Sequence, residues 1–233
     1  MESNTLDDSL DALQDKNVCA FMFEPIQGEA GVIIPSKGYI KGVRDLCTEY
    51  NVLMIVDEVQ TGLGRTGEML CCNHENVKPD IVVLGKALSG GCLPVSAVLS
   101  RKDIMDVIEP GTHGSTYGGN PLACAVAIAS LKVIVDNHLC ENSKQLEHIT
   151  HEELSKLSKS VVRQFRGKGL MSAIDIHEGF DAFDICLKLR NHGILAKPTH
   201  KSTIRLCPPL VISADQLRQA HGIIADVFNN LEK

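Results

Sequence analysis

Four short, almost continuous apolar runs in the first hundred residues constrain the fold of this 233-residue chain most strongly. Runs of Val, Ile and Leu without alternation predict strands covered on both faces, as in parallel sheets. Between the first two runs, apolar residues recur at helical spacing from Tyr39 to Tyr50, and Ser36 is predicted as the N-cap. Strand, helix and strand in succession predict a βαβ unit. The four predicted strands are residues 18–23, 52–57, 80–85 and 94–100.

The chain changes character near residue 160. Before it, a helix is predicted from Asn120-Pro121 to about Val135, followed by a polar helix. After it, short strands and two amphipathic helices predict an α+β subdomain. We therefore predict a large domain over residues 1–160 and a small domain over residues 161–233. The predicted elements of the small domain are strands at 160–167, 170–176, 194–198 and 203–208, a helix at 182–192, and a terminal helix opened by a Ser213 and Gln216 capping box.

Composition excludes several classes of partner. The net charge is −6, with no Lys/Arg run, which argues against binding to nucleic acid or anionic membranes. The absence of Trp argues against a base-stacking platform. No apolar run approaches the ~20 residues of a membrane span. The first 17 residues are acidic and polar and resemble neither a secretory signal nor a transit peptide, so we expect no targeting segment in this chain.

The nine cysteines are odd in number and no pair has C-x-x-C spacing. Four of them lie in apolar runs, which predicts buried free thiols in a reducing compartment. Cys71-Cys72 followed by His74 lacks the paired spacing of a zinc site, so no metal site is predicted. The cysteines placed in apolar runs are Cys19, Cys47, Cys124 and Cys186.

Residues 62–67 read GLGRTG and match the G-x-G-x-x-G pattern of dinucleotide sites. Such a site needs a helix that begins inside the motif, so that its N-terminus meets the pyrophosphate. The following residues leave room for at most two helical turns before Pro79. The pattern therefore favours a glycine-rich loop of another kind, and a nicotinamide-dependent oxidoreductase is a remote alternative.

Two charged residues follow predicted strands. Asp57 ends one buried run, and Lys86 comes directly after another. The carboxyl ends of parallel strands form the ligand crevice of an open sheet. Asp57 is either a turn former or a site residue. Lys86 is predicted not to be a solvated surface charge, and is structural, phosphate-binding or catalytic.

A polar loop and an arginine complete the candidate set. Residues 113–122, HGSTYGGNPL, combine hydroxyls, glycines and a helix start, which suits an anion such as phosphate; the alternative is an ordinary loop with a cap. Arg205 on an apolar strand needs a carboxylate, either in a structural ion pair or from a substrate. Lysine, carboxylate, phosphate loop and carboxylate-binding arginine are together what a pyridoxal phosphate enzyme requires.

Four motifs in order give the chain a family resemblance from about Val18 to its C-terminus. They read FEPIQGEAG, IVDEVQTGLGRTG, PDIVVLGKALSGG and HGSTYGGNPL. The chain resembles the class III pyridoxal-phosphate-dependent aminotransferases of fold type I. That resemblance implies an α/β fold, with part of a large mixed-sheet domain and a C-terminal α+β small domain. The segments GKALSGG, AKPTH and IRLCPPLVI are most similar to members that act on ornithine.

The resemblance implies which residues hold the cofactor, pyridoxal 5'-phosphate. Lys86 anchors it covalently and then acts as the general base that moves the proton. Asp57 pairs with the pyridinium nitrogen. The further contacts it implies are Val59 against the ring, Gln60 at the phenolic oxygen, and Ser115 and Thr116 at the phosphate across a dimer interface.

The resemblance also implies the substrates. Arg205 binds the α-carboxylate of glutamate or 2-oxoglutarate, and Glu29 pairs with Arg205 while ornithine is bound. The implied reaction converts ornithine and 2-oxoglutarate to glutamate semialdehyde and glutamate in a homodimer or higher oligomer. The alternatives are an acetylornithine or other ω-aminotransferase, and a non-catalytic truncated subunit that pairs with a full-length partner.

Members of the family are much longer than this chain, so the resemblance covers only their C-terminal half. The N-terminal half supplies a glycine-rich phosphate loop and the aromatic residue that stacks on the cofactor ring. We therefore expect a fragment or a shortened protein that alone is a poor enzyme. The family places this activity in the mitochondrial matrix, with the cytoplasm as the alternative.

Overall fold

The computed structural model describes residues 13–231, which form two compact units. Unit 1 comprises residues 13–25, 35–63 and 69–137, and unit 2 comprises residues 26–34, 64–68 and 138–231. The predicted domain division at residue 160 stays a prediction, whereas the last boundary between the units follows residue 137. Residues 1–12 of the acidic N-terminal stretch lie outside the described residues.

Unit 1 is built on a four-stranded sheet in the order β1-β2-β3-β4. The first three strands are parallel and β4 is antiparallel to β3. The predicted βαβ unit is confirmed, since a helix lies between β1 and β2. The elements are β1 Ala20–Phe23, α1 Tyr39–Glu49, β2 Leu53–Asp57, β3 Ile81–Leu84, β4 Ala97–Ser100, α2 Lys102–Met105 and α3 Pro121–Asp136, with 3₁₀ helices at Cys71–Glu75 and Lys86–Ser89.

The predicted N-cap of α1 at Ser36 is wrong. The helix follows Gly38, which has a left-handed φ of 87° that favours glycine. The carboxylate of Glu75 accepts the backbone N–H groups of Gly38 and Lys41, each at 2.8 Å. A side chain distant in sequence therefore satisfies the N–H groups that a local cap would have taken.

The prediction that every strand of unit 1 is covered on both faces is wrong for β1, an edge strand in which Met22 is 57% exposed, and for β4. In β4, Val98 is 54% exposed and Leu99 is 49% exposed. This strand also lies at an edge of its sheet, where fewer elements of the described chain can cover it.

Helix α3 begins as predicted, because the side chain of Asn120 accepts the N–H of Ala123 at 2.9 Å. Only three of its residues are buried, Ala123, Ala127 and Ile134. Apolar residues also occupy its exposed positions, including Leu122, Ile128 and Val135. No single helix among residues 13–231 is long and apolar enough to cross a bilayer, although α3 and the helix that follows it reach that length and hydropathy together.

Unit 2 is built on an antiparallel sheet in the order β5-β6-β8-β7. All six residues of β6 are buried, and Ile174 and Ile176 belong to a core that also includes Ile204 and Phe228. The predicted elements of this region are confirmed with different bounds. They are α4 Leu139–Ser155, β5 Val162–Lys168, β6 Met171–Ile176, α5 Ala182–Asn191, β7 Lys197–Thr199, β8 Thr203–Leu206 and α6 Ala214–Asn229. Each strand begins at or after its predicted start, and β5 and β7 end one residue later than predicted.

Arg166 fixes the short segment 26–34 within unit 2. Its Nε donates to the carbonyl of Val32 at 2.8 Å, and its Nη1 donates to the Asp175 carboxylate at 2.7 Å. A β-bridge between Gln27 and Ile33 folds the segment back on itself. This arrangement determines where Glu29 lies.

The glycine-rich motif at 62–67 is a packed turn. A Cβ on Gly62 would lie 2.9 Å from the carbonyl oxygen of Glu58. The motif is followed by the 3₁₀ helix Cys71–Glu75, and no α-helix begins inside it. The expectation that it is not a dinucleotide loop is therefore supported by its geometry.

All nine thiols are free, but the prediction that Cys19 and Cys124 are buried is wrong. Cys19 directly precedes β1 and Cys124 lies on α3, of which most residues are exposed. Cys47 and Cys186 are buried as predicted, and burial raises the pKa of the Cys186 thiol to about 11.

Candidate active site

Asp57 and Lys86 lie at the same edge of the unit 1 sheet, as the sequence predicts. Asp57 is the last residue of β2 and pairs with Val83 of the parallel neighbour β3. Lys86 follows β3 after a single glycine. The carboxyl edge of these strands therefore carries both a carboxylate and an amine, and this is the edge at which open sheets bind ligands.

Asp57 takes part in the turn after β2. Its Oδ1 accepts the backbone N–H of Val59 at 2.9 Å. The side chain is half-buried. The turn-forming contact is present and holds the carboxylate in one orientation, which a ligand-binding role also requires.

Lys86 is exposed, so the prediction that it is shielded from solvent is wrong for the described residues. It lines an open hollow of about 490 Å³ together with Val59 and Gly85. Its backbone has a φ of 40°, an uncommon value for a residue with a Cβ. Backbone strain of this kind, on the order of 1–3 kcal/mol, concentrates at functional positions.

The polar loop before α3 contributes to the same hollow from Tyr117 to Asn120. Ser115 and Thr116 are exposed and lie outside that lining, and the Ser115 hydroxyl oxygen accepts the N–H of Gly118 at 2.9 Å. The structure therefore brings the helix start to Lys86, but not the two hydroxyl residues. Their assigned contact across a dimer interface stays a prediction.

The residues around the hollow fit pyridoxal phosphate in chemical type. Lys86 offers an amine and Val59 offers an apolar surface. Asp57 has its carboxylate at the same sheet edge but is not one of the residues that line the hollow. Gly118–Asn120 and the start of α3 line the hollow, and the N–H groups of Gly118, Asn120 and Ala123 already donate to oxygens of the loop and the cap. Gln60 is half-buried beside Val59 in sequence and does not line the hollow.

A second group of candidate residues lies in unit 2. Arg205 on β8 donates from Nη1 to Oε1 of Glu29 at 2.9 Å and to the carbonyl of Gly28 at 2.8 Å. Its side chain is only 10% exposed, whereas that of Glu29 is 59% exposed. The prediction that Arg205 needs a carboxylate partner is confirmed.

Lys197 is a member of this group that sequence reasoning did not single out. Its Nζ lies 2.8 Å from Oε2 of Glu29, and it pairs with Arg205 across the β7–β8 ladder. The hydrogen bond from Lys197 has the largest effect on the pKa of Glu29, and together with the contact to Arg205 it holds that pKa below its ordinary value although burial acts to raise it. The hairpin register is the signal that could have identified Lys197 from the sequence, because pairing Thr199 with Thr203 places Lys197 opposite Arg205.

Comparisons with known proteins agree on one family. The family profile described as Aminotransferase class-III matches residues 3–228. The rat protein named "Ornithine aminotransferase, mitochondrial" is 60% identical over 215 residues, which cover 91% of this chain and 49% of the relative. The chain thus spans about half the length of this curated relative.

Solved structures show the same likeness. The structure of an ornithine aminotransferase from Plasmodium yoelii matches with a TM-score of 0.95 at 51% identity. The match covers 99% of this chain and 62% of the Plasmodium yoelii chain. An acetylornithine aminotransferase from Elizabethkingia anophelis has a TM-score of 0.95 at 49% identity, over 99% of this chain and 59% of its own.

Proposed function

This chain belongs to the class III aminotransferases, and on that premise we propose that it carries the cofactor-anchoring and carboxylate-binding residues of an ornithine aminotransferase. Its structural neighbours have the expected fold type I. The proposed reaction transfers the δ-amino group of ornithine to 2-oxoglutarate and gives glutamate semialdehyde and glutamate.

The observation that carries the proposal is the ion pair between Glu29 and Arg205. Ornithine enters by its δ-amine and brings no α-carboxylate to the reacting end, whereas 2-oxoglutarate does. An arginine left unpaired in the first half-reaction would be costly. Glu29 neutralises Arg205 in that half-reaction and yields it to the keto acid in the second.

Members of this family use pyridoxal 5'-phosphate, which when bound supplies an electron sink for amino transfer. Lys86 would anchor the group through its amine, and the same amine would then accept and return the proton that moves during amino transfer. Asp57 would keep the ring nitrogen protonated. Val59 would support the ring, Gln60 would bond its phenolic oxygen, and Ser115 and Thr116 would contact the phosphate in the partner subunit's site across a dimer interface.

An acetylornithine aminotransferase is the second candidate, supported by the likeness to the Elizabethkingia anophelis structure. The identity of 60% to the rat ornithine enzyme favours ornithine. Competition between ornithine and N-acetylornithine as amino donors distinguishes the two, and we expect ornithine to be preferred.

The direct test is cofactor attachment. The purified chain is mixed with pyridoxal phosphate, its visible spectrum is recorded, and borohydride reduction is followed by peptide mapping. We expect a stable absorption band and a label on Lys86 alone. Lys86→Met should abolish both, and the exposed Lys132→Met should change neither. A label scattered over surface lysines would contradict the proposal for this chain.

Turnover by this chain alone is a separate matter. Because the chain spans about half of the relative's length, we propose that it is a poor enzyme unless the remaining part of the site is supplied. Ornithine turnover is compared with and without a full-length relative. Transamination near the relative's own rate by the 233-residue chain alone would contradict this.

We propose a homodimer or higher oligomer as the assembled state. The exposed apolar residues of α3 support it, because apolar surface of this kind marks interaction sites. Sedimentation over a range of concentrations should show association, and Ile128→Asp should weaken it. The control is Lys132→Gln on the same helix. A monomer at all concentrations would count against the proposal.

We propose the mitochondrial matrix as the compartment. The rat relative is named as mitochondrial, whereas the Plasmodium yoelii relative is named without a compartment. The cytoplasm is therefore the alternative. Cell fractionation followed by detection with an antibody to this chain separates the two.

A further inference from the structure

Lys197 and Arg205 form a pair of like charges that the fold keeps together. They lie opposite each other on β7 and β8, and like charges at paired positions normally destabilise a sheet. Glu29 lies between them, with Oε1 at 2.9 Å from Arg205 and Oε2 at 2.8 Å from Lys197. Each cation therefore has its own carboxylate oxygen, and one contact can break while the other remains.

The two cations differ in freedom. The side chain of Arg205 is 10% exposed and is also held by the carbonyl of Gly28. The side chain of Lys197 is 58% exposed on a flexible four-carbon stem. When a substrate carboxylate reaches Arg205, Arg205 stays in place and Glu29 is the group that moves.

Lys197 sets the net charge of the group that it forms with Glu29 and Arg205. Two cations and one anion carry a net charge of +1, so a bound monoanionic carboxylate leaves the cluster neutral. Without Lys197 the cluster would be neutral before binding and negative after it. Glu29 would then stand unpaired beside a second carboxylate, a like-charge contact that disfavours binding.

We propose that Lys197 is a positioning residue that retains Glu29 when Arg205 is given over to the substrate carboxylate. This inference rests on the proposed function, because it presumes that Arg205 receives that carboxylate. Lys197 lowers the free-energy cost of separating Glu29 from Arg205. Lys197 acts through Glu29 and does not contact the substrate.

The first experiment needs no ligand. The pKa of Glu29 is measured by carboxyl ¹³C NMR in the full chain and in three variants: Arg205→Met, Lys197→Met and the double variant. In Arg205→Met we expect Lys197 still to hold the pKa of Glu29 below its ordinary value, and the double variant should restore that value. An ordinary pKa already in Arg205→Met would overturn the proposal. Arg205→Gln provides a second reading in case Met disturbs β8.

The second experiment measures the affinity for 2-oxoglutarate by calorimetry in the single and double variants of Glu29 and Lys197. Glu29→Gln should bind more tightly than the parent chain, and Lys197→Met should bind about two- to five-fold more weakly. In the Glu29→Gln background, Lys197→Met should have no further effect. An equal loss in both backgrounds would mean direct attraction by Lys197 and would overturn the proposal.

A control variant distinguishes loss of the contact between Lys197 and Glu29 from loss of one positive charge near the site. Lys201 is an exposed lysine between β7 and β8, and Lys201→Met should leave affinity unchanged. If no variant binds 2-oxoglutarate, the proposed carboxylate role of Arg205 fails in this chain. The ligand-free measurement still decides whether Lys197 retains Glu29.

Discussion

Asp175 is a buried carboxylate that unit 2 keeps charged. It is 3% exposed and accepts hydrogen bonds from Arg166, Gln164 and Thr203. Burial alone would raise the pKa of Asp175, but these donors outweigh it and lower the pKa to about 2. Since Arg166 also holds the segment that carries Glu29, the charge on Asp175 supports the candidate site.

The charge on Asp175 predicts an acid-dependent loss of stability. Because its folded-state pKa lies below the unfolded value, its contribution is present above about pH 4 and is lost as the pH falls towards about 2. We expect Asp175→Asn to lower the free energy of unfolding by on the order of 2 kcal/mol at pH 7. Urea unfolding at several pH values measures the difference, which should shrink below pH 4. Asp226→Asn, an exposed substitution in the same unit, should show no such pattern.

Gly169 is the turn residue for which the structure gives the strongest steric reason. It has a φ of 57° between β5 and β6, and a Cβ there would lie 2.5 Å from the backbone of Thr66 and 2.6 Å from the Ser143 hydroxyl. We expect Gly169→Ala to cost more than about 2 kcal/mol, since overpacking adds to the left-handed backbone.

Gly179 provides the matched control for that substitution. It also has a positive φ, 97°, but nothing lies within 4 Å of the position of its Cβ. Gly179→Ala should therefore show only the backbone cost. Thermal unfolding of the two variants measures the difference. An equal loss of stability in both would show that steric overlap at Gly169 adds nothing to the backbone cost.

At the scale of elements, α6 depends on a local cap. The Ser213 hydroxyl accepts the N–H of Gln216 at 3.2 Å, and the Gln216 side chain accepts the N–H of Ser213 at 2.9 Å. Ser213→Ala should lower the free energy of unfolding by about 1 kcal/mol. Gln219→Ala, an exposed change in the middle of the same helix, is the control and should have little effect in urea unfolding.

Elements fixed by neighbouring residues could be predicted from the sequence. The capping box of α6 and the Asn120 cap of α3 lie within three residues of the groups they satisfy, and both are confirmed. The cap of α1 could not be predicted, because Glu75 reaches it from 37 positions away. Local sequence patterns therefore predict contacts between near neighbours in the chain, but not contacts between residues far apart in sequence.

The candidate site divides in the same way. The common edge for Asp57 and Lys86 follows from parallel pairing, which apolar runs reveal. The exposure of Lys86 depends on what surrounds a hollow, and no local pattern encodes that. The contact of Lys197 with Glu29 joins residues 168 positions apart and needs the folded sheet.

At the scale of the whole molecule, thiol exposure predicts a labelling order. Four cysteines are exposed, four are buried and Cys140 is intermediate, so four should react rapidly with a maleimide. Peptide mapping by mass spectrometry identifies them. Cys124 on α3 should become slower at higher protein concentration if association covers that helix, whereas Cys92 and Cys207 serve as internal references. Fast reaction of Cys47 or Cys186 would contradict the described burial.

Unit 2 is assembled from three separate stretches of chain, and this sets an order of events during synthesis. Residues 26–34 and 64–68 leave the ribosome well before the 138–231 stretch that they pack with. Contacts of such long sequence separation form slowly and leave early segments waiting for partners. The ion pair between Glu29 and Arg205 spans 176 positions, so it can close only after residue 205 has been translated.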